Sequence, residues 1–426
     1  MSERYRAREL GIAIGELAPG ALNALTDVEG VRVGHATVIA GDSIRTGVTA
    51  ILPHGRNLFA EKVPGGLAVA NGFGKLVGVT QLEELGEIES PIVLTGTLST
   101  FRAADALLGY MLALPGNEEV RSLNPIVGET NDGWLSDGRR RPITKGHVVE
   151  AIRTASGGAV REGTVGAGTG TVCFGWKGGI GTSSRVVAVG GAAATVAVLA
   201  QTNFGGSLRM RGVPLGERLA APARASGGAG SCMLVVATDA ALDARQLRRL
   251  ARRAIYALAA VGSHFAHGSG DYAIAFATRR GSPPADAGLS PLFAGVAEAT
   301  EEAVLNSLFT ATTVVGRDGH RAEAIPLERV VEICRSLPLV AARASAAGRA
   351  PARRRAARSP RRTGCGFAVT GAASSHGRAT SGVRRGVSDA PSLRHHAPCR
   401  TPVGGNSSNR GRGRGAPRAA RRRGQP

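Results

Sequence analysis

The sequence predicts a mixed α/β fold with helices laid over sheets, on three observations. Short runs of Val, Ile, Leu, Ala and Thr are punctuated by glycine, of which the 426-residue chain has 61; that texture suits buried strands joined by tight turns. Two long segments carry apolar residues at helical spacing. The charge is segregated: residues 343–426 hold 20 Arg, no Lys and one acid, Asp389, and so carry +19 of the net +21. The other 342 residues, with 33 basic and 31 acidic side chains, form a near-neutral body long enough for one large α/β domain.

In chain order, strands are expected at 31–41, 46–53, 184–191, 194–205, 231–239 and 271–278. In the last of these Tyr272, Ile274 and Phe276 share one face and Ala273, Ala275 and Ala277 the other, so both faces read as buried. Helices are expected at 100–112 and 146–155, and again after "VVATD", where Leu247, Leu250, Ala254 and Leu258 make one stripe and Arg248, Arg249, Arg252 and Arg253 lie mostly elsewhere. The helix at 290–309 opens with Ser290 and Pro291, a cap and first-turn pair, and sets Glu298, Glu302 and Asn306 four apart on a polar stripe.

The segment 343–426 has almost no large apolar residues and reads as a disordered basic arm. Such an arm would hold nucleic acid through phosphates, salt-sensitively and without reading sequence, since no aromatic residues interleave to stack on bases. The same Arg-only bias is what a shifted reading frame of GC-rich DNA would give, and composition leaves both readings open. Five cysteines (Cys173, Cys232, Cys334, Cys365, Cys399) without C-x-x-C spacing argue against a disulfide framework or a zinc site. The start "MSERYRAREL" is charged and no run reaches the ~20 apolar residues of a membrane span, so the expectation is a cytoplasmic protein with no membrane contact.

The chemistry centres on "AHGSGDYAIAFAT" (266–278), where a serine flanked by glycines sits on the lip of a strand. The blandest reading of Gly268, Ser269 and Gly270 is an ordinary turn. A hydrolase triad would pair Ser269 with His264 or His267, but the G-x-S-x-G elbow is incomplete because His267 stands two before the serine. A third reading cuts the Gly268–Ser269 bond, so that the new α-amine of Ser269, with a pKa of ~7.7 to 8.0, serves as general base. "GAGTGT" (166–171) lacks the G-x-G-x-x-G spacing of a dinucleotide loop, so neither a nucleotide cofactor nor a metal is expected.

Seven co-linear stretches carry a resemblance: "ALTDVEGVRVGHATV", "RTGVTAILP", "NPIVGETNDGWLSD", "VGAGTGTVCFGWKGGIGTSSR", "GSGDYAIAFAT", "LSPLF" with "ATEEAVLNSLF", and "VGRDGH". Together they span about residues 10 to 342 and resemble the self-processing aminopeptidases of the DmpA/BapA type, peptidase family S58. The resemblance implies a four-layer αββα sandwich of the N-terminal-nucleophile class and one catalytic domain over 1–342. It implies cleavage between Gly268 and Ser269 into an α chain (1–268) and a β chain from Ser269, assembled as a tetramer of αβ units. The substrate would be a short peptide, amide or ester with a free amino end.

By the same resemblance Ser269 is the nucleophile, and Thr300 and Glu302 supply a hydroxyl and a carboxylate beside it; a solvated helix face is the plainer reading of Glu302. The family's oxyanion donors fall near Asp239 and Phe174, both departures, since a carboxylate repels an oxyanion and Phe has no hydroxyl. Asp239 also reads as an N-cap, and backbone N–H groups of "GSGD" or "WKGGIG" are substitutes. Glu129 and Asp132 are candidates for the substrate ammonium, Trp134 for the side-chain pocket, and Lys177 for orienting its neighbours or snorkelling to water. Two rivals are an acetyl transferase of the ornithine type, whose nucleophile is Thr, and a non-catalytic protein with a basic arm.

Overall fold

A computed structural model describes residues 3–220, 222 and 230–336; the arginine-rich segment lies outside them. Chain order is β1 (Arg32–Ala40), β2 (Ile44–Leu52), β3 (Val63–Gly72), α1 (Val79–Leu85), β4 (Glu87–Ile88), β5 (Ile92–Gly96), α2 (Thr100–Leu112), β6 (Ile126–Thr130) and α3 (Lys145–Arg153). There follow β7 (Val172–Cys173), β8 (Trp176–Lys177), β9 (Gly179–Val189), β10 (Ala192–Asn203), α4 (Leu215–Arg218), β11 (Ser231–Thr238) and α5 (Ala244–Val261). The chain continues through β12 (Gly270–Ala277), α6 (Ser290–Phe309), β13 (Val314–Val315), β14 (Arg321–Ala322) and α7 (Leu327–Arg335). All six expected strands and all four expected helices are present. Strands β3, β5 and β6 are additional: the first is interrupted by glycines, and the other two are only five residues long.

Two main sheets carry the fold among the described residues, one ordered β1-β2-β5-β6 and the other β4-β3-β12-β11-β10-β9. Helices α2 and α3 pack on the first and α5 and α6 on the second, with the sheets face to face between them, giving four αββα layers. The alternation in β12 sorts as its sequence requires: Tyr272, Ile274 and Phe276 join the core between the sheets, while Ala273, Ala275 and Ala277 join the core under α5 and α6. The small side chains on the helix face let helix and sheet approach closely. Gly66 and Gly181 carry this furthest, since a Cβ there would stand 2.4 Å from Arg248 N and 2.0 Å from Ala303 O respectively.

In α5 Leu247, Leu250, Ala254 and Leu258 are fully buried, and Asp243 caps the helix by accepting the Gln246 N–H at 2.7 Å. Helix α6 departs from expectation twice. Ser290 lies inside the helix and Leu289 at the cap position, with no side-chain cap bond. The polar stripe is real but turned inward: Glu302 and Asn306 are fully buried. Glu302 takes Arg8 Nε on both oxygens (3.0 and 3.1 Å), Arg185 Nη2 at 2.7 Å and Asn23 Nδ2 at 2.5 Å. Arg185 also bonds Glu298 at 2.9 Å, and Asn306 ties to Ala7 N and Thr182 O at 2.9 Å each. This network fastens the N-terminal segment and β9 to α6.

Candidate active site

Ser269 precedes β12, and the backbone around it is fixed on both sides. Its N–H donates to Ala266 O at 3.0 Å, closing a turn through Gly268, whose φ of +87° suits glycine. Asn71 Nδ2, from the neighbouring strand, holds Ala266 O at 2.9 Å, and Ser269 O accepts the Phe73 N–H at 3.2 Å. The β12–β3 register shifts between Asp271 and Tyr272, the kind of irregularity that re-aims side chains. The Ser269 hydroxyl donates to Asp271 Oδ2 at 2.7 Å. A histidine triad is not formed at Ser269; His267 instead packs edge-on against the Phe73 ring at 5.7 Å.

Asp271 is fully buried, and its Oδ1 has no well-formed hydrogen bond. Burial pushes its carboxyl up to about 6, against the opposing pull of the Ser269 hydroxyl and the Cys232 N–H. Ser269 itself is 2% exposed, so in the uncut chain it is shielded from substrate.

Register brings other groups to the same end of the sheet. Gly72, Gly270, Ser231 and Asn203 lie in one row across β3, β12, β11 and β10. Asn203, which sequence reading passed over, donates through Nδ2 to Asn131 O at 2.9 Å and accepts the Val172 N–H at 2.9 Å. Its signal in the sequence is only a polar residue ending an apolar strand. On the helix face, Thr202 is level with Cys232 and Asp271 and shares a 2.8 Å bond with Ser307 of α6.

From the facing sheet β6 delivers Glu129. Its Oε1 accepts the Lys75 N–H at 3.0 Å and lies 3.5 Å from Lys75 Nζ, whereas Oε2 is buried without a partner. A Cβ on Gly74 would stand 3.0 Å from that Oε1, 3.0 Å from the Tyr272 ring and 3.1 Å from Gly270 Cα, which places the carboxylate beside the residue after Ser269.

Asp132 follows in the next loop, its Oδ2 buried and unpartnered, its carboxyl pushed up to about 6 chiefly by burial. Lys177 does not snorkel: it is fully buried, donates to Gly168 O and Gly178 O at 2.8 and 2.7 Å, and is pushed down to about 7 by that burial. Among the described residues no three His, Cys, Asp or Glu side chains could hold a metal.

The remaining expected site residues lie elsewhere. Asp239 stands past the far end of β11, eight residues from Ser231 and so about 26 Å along the strand; its Oδ1 accepts the Thr195 N–H at 2.7 Å. It is therefore not an oxyanion residue, nor the cap of α5. Thr300 spends its hydroxyl on Val296 O at 2.7 Å, and Glu302 spends its carboxylate on Arg8, Arg185 and Asn23. Neither helix residue is hydrogen-bonded to Ser269, whose hydroxyl meets Asp271. Phe174 has φ +52° and is buried with its ring edge-on to Phe204 at 4.9 Å, near the site but with no donor in its side chain. Trp134 stacks on His320 at 3.7 Å in a satellite cluster with Leu135 and Ala322.

The αββα sandwich with a serine ending a glycine turn at the lip of β12 is matched by known proteins, and the comparisons make the chain a serine-type aminopeptidase of the N-terminal-nucleophile hydrolase fold. The model of peptidase family S58 matches residues 23–322, and the chain belongs to that family. It is 38% identical over 364 residues to a β-peptidyl aminopeptidase of Sphingosinicella microcystinivorans, covering 76% of this chain and 90% of that one. A second, from Sphingosinicella xenopeptidilytica, is 39% identical over 78% of this chain and 91% of its own.

Among solved structures, the PH0078 protein of Pyrococcus horikoshii OT3 superposes with a TM-score of 0.73 at 45% identity, covering 78% of this chain and 99% of that one. The L-aminopeptidase D-Ala-esterase/amidase of Ochrobactrum anthropi, described as a prototype serine aminopeptidase and a variant of the Ntn hydrolase fold, gives 0.70 at 34% identity over 78% and 98%. The acetyl-transfer and non-catalytic readings find no support among these relatives. Among the described residues no helix is long and apolar enough to cross a membrane.

Proposed function

We propose that the chain cuts itself between Gly268 and Ser269, giving an α chain of residues 1–268 and a β chain from Ser269, and that Ser269 is then the nucleophile of an aminopeptidase. The observation that carries this reading is the placement of Ser269: behind a left-handed Gly268, hydrogen-bonded to a buried carboxylate, and shielded from solvent while the chain is whole. Once cut, the α-amine of Ser269 takes the Oγ proton as Oγ attacks the carbonyl of a substrate's first residue. The tetrahedral oxyanion is held by neutral donors, for which Asn203 replaces the expected Asp239 and Phe174. The leaving amine receives the proton, and water resolves the acyl-enzyme. Glu129, with an unpartnered buried oxygen beside Gly270, suits the substrate's ammonium.

Two relatives are called β-peptidyl aminopeptidases, which favours short peptides and amides with an N-terminal β-residue as substrates. A cytoplasmic homo-oligomer, a tetramer of αβ units, completes the proposal; Cys232 and Cys334 stand as thiols, and the apolar side chains of Phe73 and Phe101 are about two-thirds exposed. Turnover of β-alanyl and L-alanyl amides beside their N-acetylated forms tests the substrate reading. Hydrolysis confined to the free amines is expected, and equal hydrolysis of the acetylated amides would contradict it.

A further inference from the structure

The proposed mechanism of turnover leaves the first cut without a base. Before cleavage Ser269 has no α-amine: its nitrogen is a peptide nitrogen, with its N–H committed to Ala266 O. Whatever takes the Oγ proton in the intact chain must be another group. The hydroxyls of Ser307 and Thr202 bond each other, and Glu302 is saturated by Arg8, Arg185 and Asn23. The group that receives the Ser269 hydroxyl is Asp271, at 2.7 Å. We propose that Asp271 is the proton acceptor and donor for the chain's own cleavage, a role separate from the α-amine that serves turnover afterwards; this rests on the self-cleavage reading above.

The surroundings of Asp271 suit that role. It joins no ion pair within 4 Å among the described residues; the titratable group that faces it is the Cys232 thiol of β11, itself pushed up by burial and by the Asp271 charge, while Tyr272, next on its own strand, points to the other face. From β3 the residue in register is the neutral Asn71. A carboxylate with one oxygen on the nucleophile and the other without a good bond is a stronger base than one held by arginines. The chain ahead of the bond also holds Phe265 at φ +46° and Gly268 at +87°; a bulky residue in the left-handed region is strained.

The step balances without another reactant until hydrolysis. Ser269 Oγ bonds to the Gly268 carbonyl carbon while its proton passes to Asp271. The C–N bond then breaks, and the proton moves from Asp271 to the departing Ser269 nitrogen, leaving an ester of Gly268 on Oγ and a free α-amine. Water attacks the ester, giving the Gly268 carboxyl and returning a proton to Oγ.

Cell-free synthesis of the full chain, with intact mass followed over time between pH 5 and 8, tests the assignment in wild type, Ser269→Ala, Asp271→Asn and Asp271→Glu. Wild type is expected to cut with a rate that rises with pH and levels off above about 6. Ser269→Ala stays whole, Asp271→Asn cuts at least about 100-fold more slowly with no such limb, and Asp271→Glu recovers part of the rate. Thermal melting of each uncut variant reports whether it is folded. A folded Asp271→Asn that cuts within about threefold of wild type with the same pH profile overturns the assignment, as does a wild-type profile flat from pH 5 to 8. A wild-type chain that never cuts overturns the self-cleavage reading and this one with it.

Discussion

Glu302, on helix α6, and Asp271, on strand β12 of the sheet that α6 covers, are both fully buried carboxylates, and they could hardly be treated more differently. Glu302 receives two arginines and an asparagine; Asp271 receives one serine hydroxyl and keeps an oxygen without a good partner. Saturating a buried charge makes it a fastener, because its desolvation cost is offset by partners that must then stay in place. Leaving one under-satisfied keeps it reactive at some cost in stability. The difference teaches where to look for chemistry in this fold: at the end of β12, not along the acidic stripe of α6.

Breaking the fastener should give the largest effect on stability. Glu302→Ala takes from the fully buried Arg185 one of its two carboxylates, leaving Glu298, and takes from Arg8 and Asn23 their shared acceptor; it is expected to cost about 3 kcal/mol. For a folded body of this size that corresponds to a fall of roughly 4–5 °C in melting temperature, while molecules that remain folded still cut at Gly268. Loss of cleavage with an unchanged melting temperature would move Glu302 into the chemistry and dissolve the contrast.

Replacing the reactive carboxylate should do the reverse. The folded-state pKa of Asp271 is raised to about 6, so the folded chain holds a proton that the unfolded chain has lost, and stability falls as pH climbs from about 4 to about 6. Above that window the charged carboxylate carries the full penalty, of the order of 1–3 kcal/mol. Uncut Asp271→Asn should therefore melt above uncut Ser269→Ala at pH 7.5, with the gap closing towards pH 4. An equal or lower melting temperature would mean that the carboxylate is well satisfied.

The smallest effect concerns the facing sheet. Glu129→Gln removes the negative charge beside Gly270 and should lower kcat/KM for free-amine substrates by roughly 10- to 30-fold, mostly through KM, with self-cleavage unaffected. A change confined to cleavage would assign Glu129 to the wrong reaction.

The sequence was informative where a local pattern has one physical meaning. Alternation in 271–277 gave both faces of β12, the leucine stripe gave α5, and Gly-Ser-Gly marked the turn that leads into β12. It misled where spacing carries no depth. Glu298, Glu302 and Asn306 read as a stripe at helical period, but nothing local says that the stripe meets Arg8 and Arg185 from 113 to 294 residues away. Asp239 sits in a helix-start pattern, yet only the parallel register of β11 and β12 shows that it lies at the end of the sheet away from Ser269. That register and the antiparallel one of β10 and β11 together assemble Asn203, Ser231 and Gly270 into one row, so Asn203 could not be found from its neighbours. Asp271 was in plain view two residues after the serine, and its significance depended on burial and on the rotamer that meets Oγ.

Intact mass of the purified wild-type chain beside Ser269→Ala, with the N-terminal sequence of any new fragment, tests the central claim most directly. Two wild-type fragments, the second beginning Ser-Gly-Asp-Tyr, with the variant whole, are the predicted result. A folded wild-type chain that stays in one piece, or is cut at any other bond, would contradict the account.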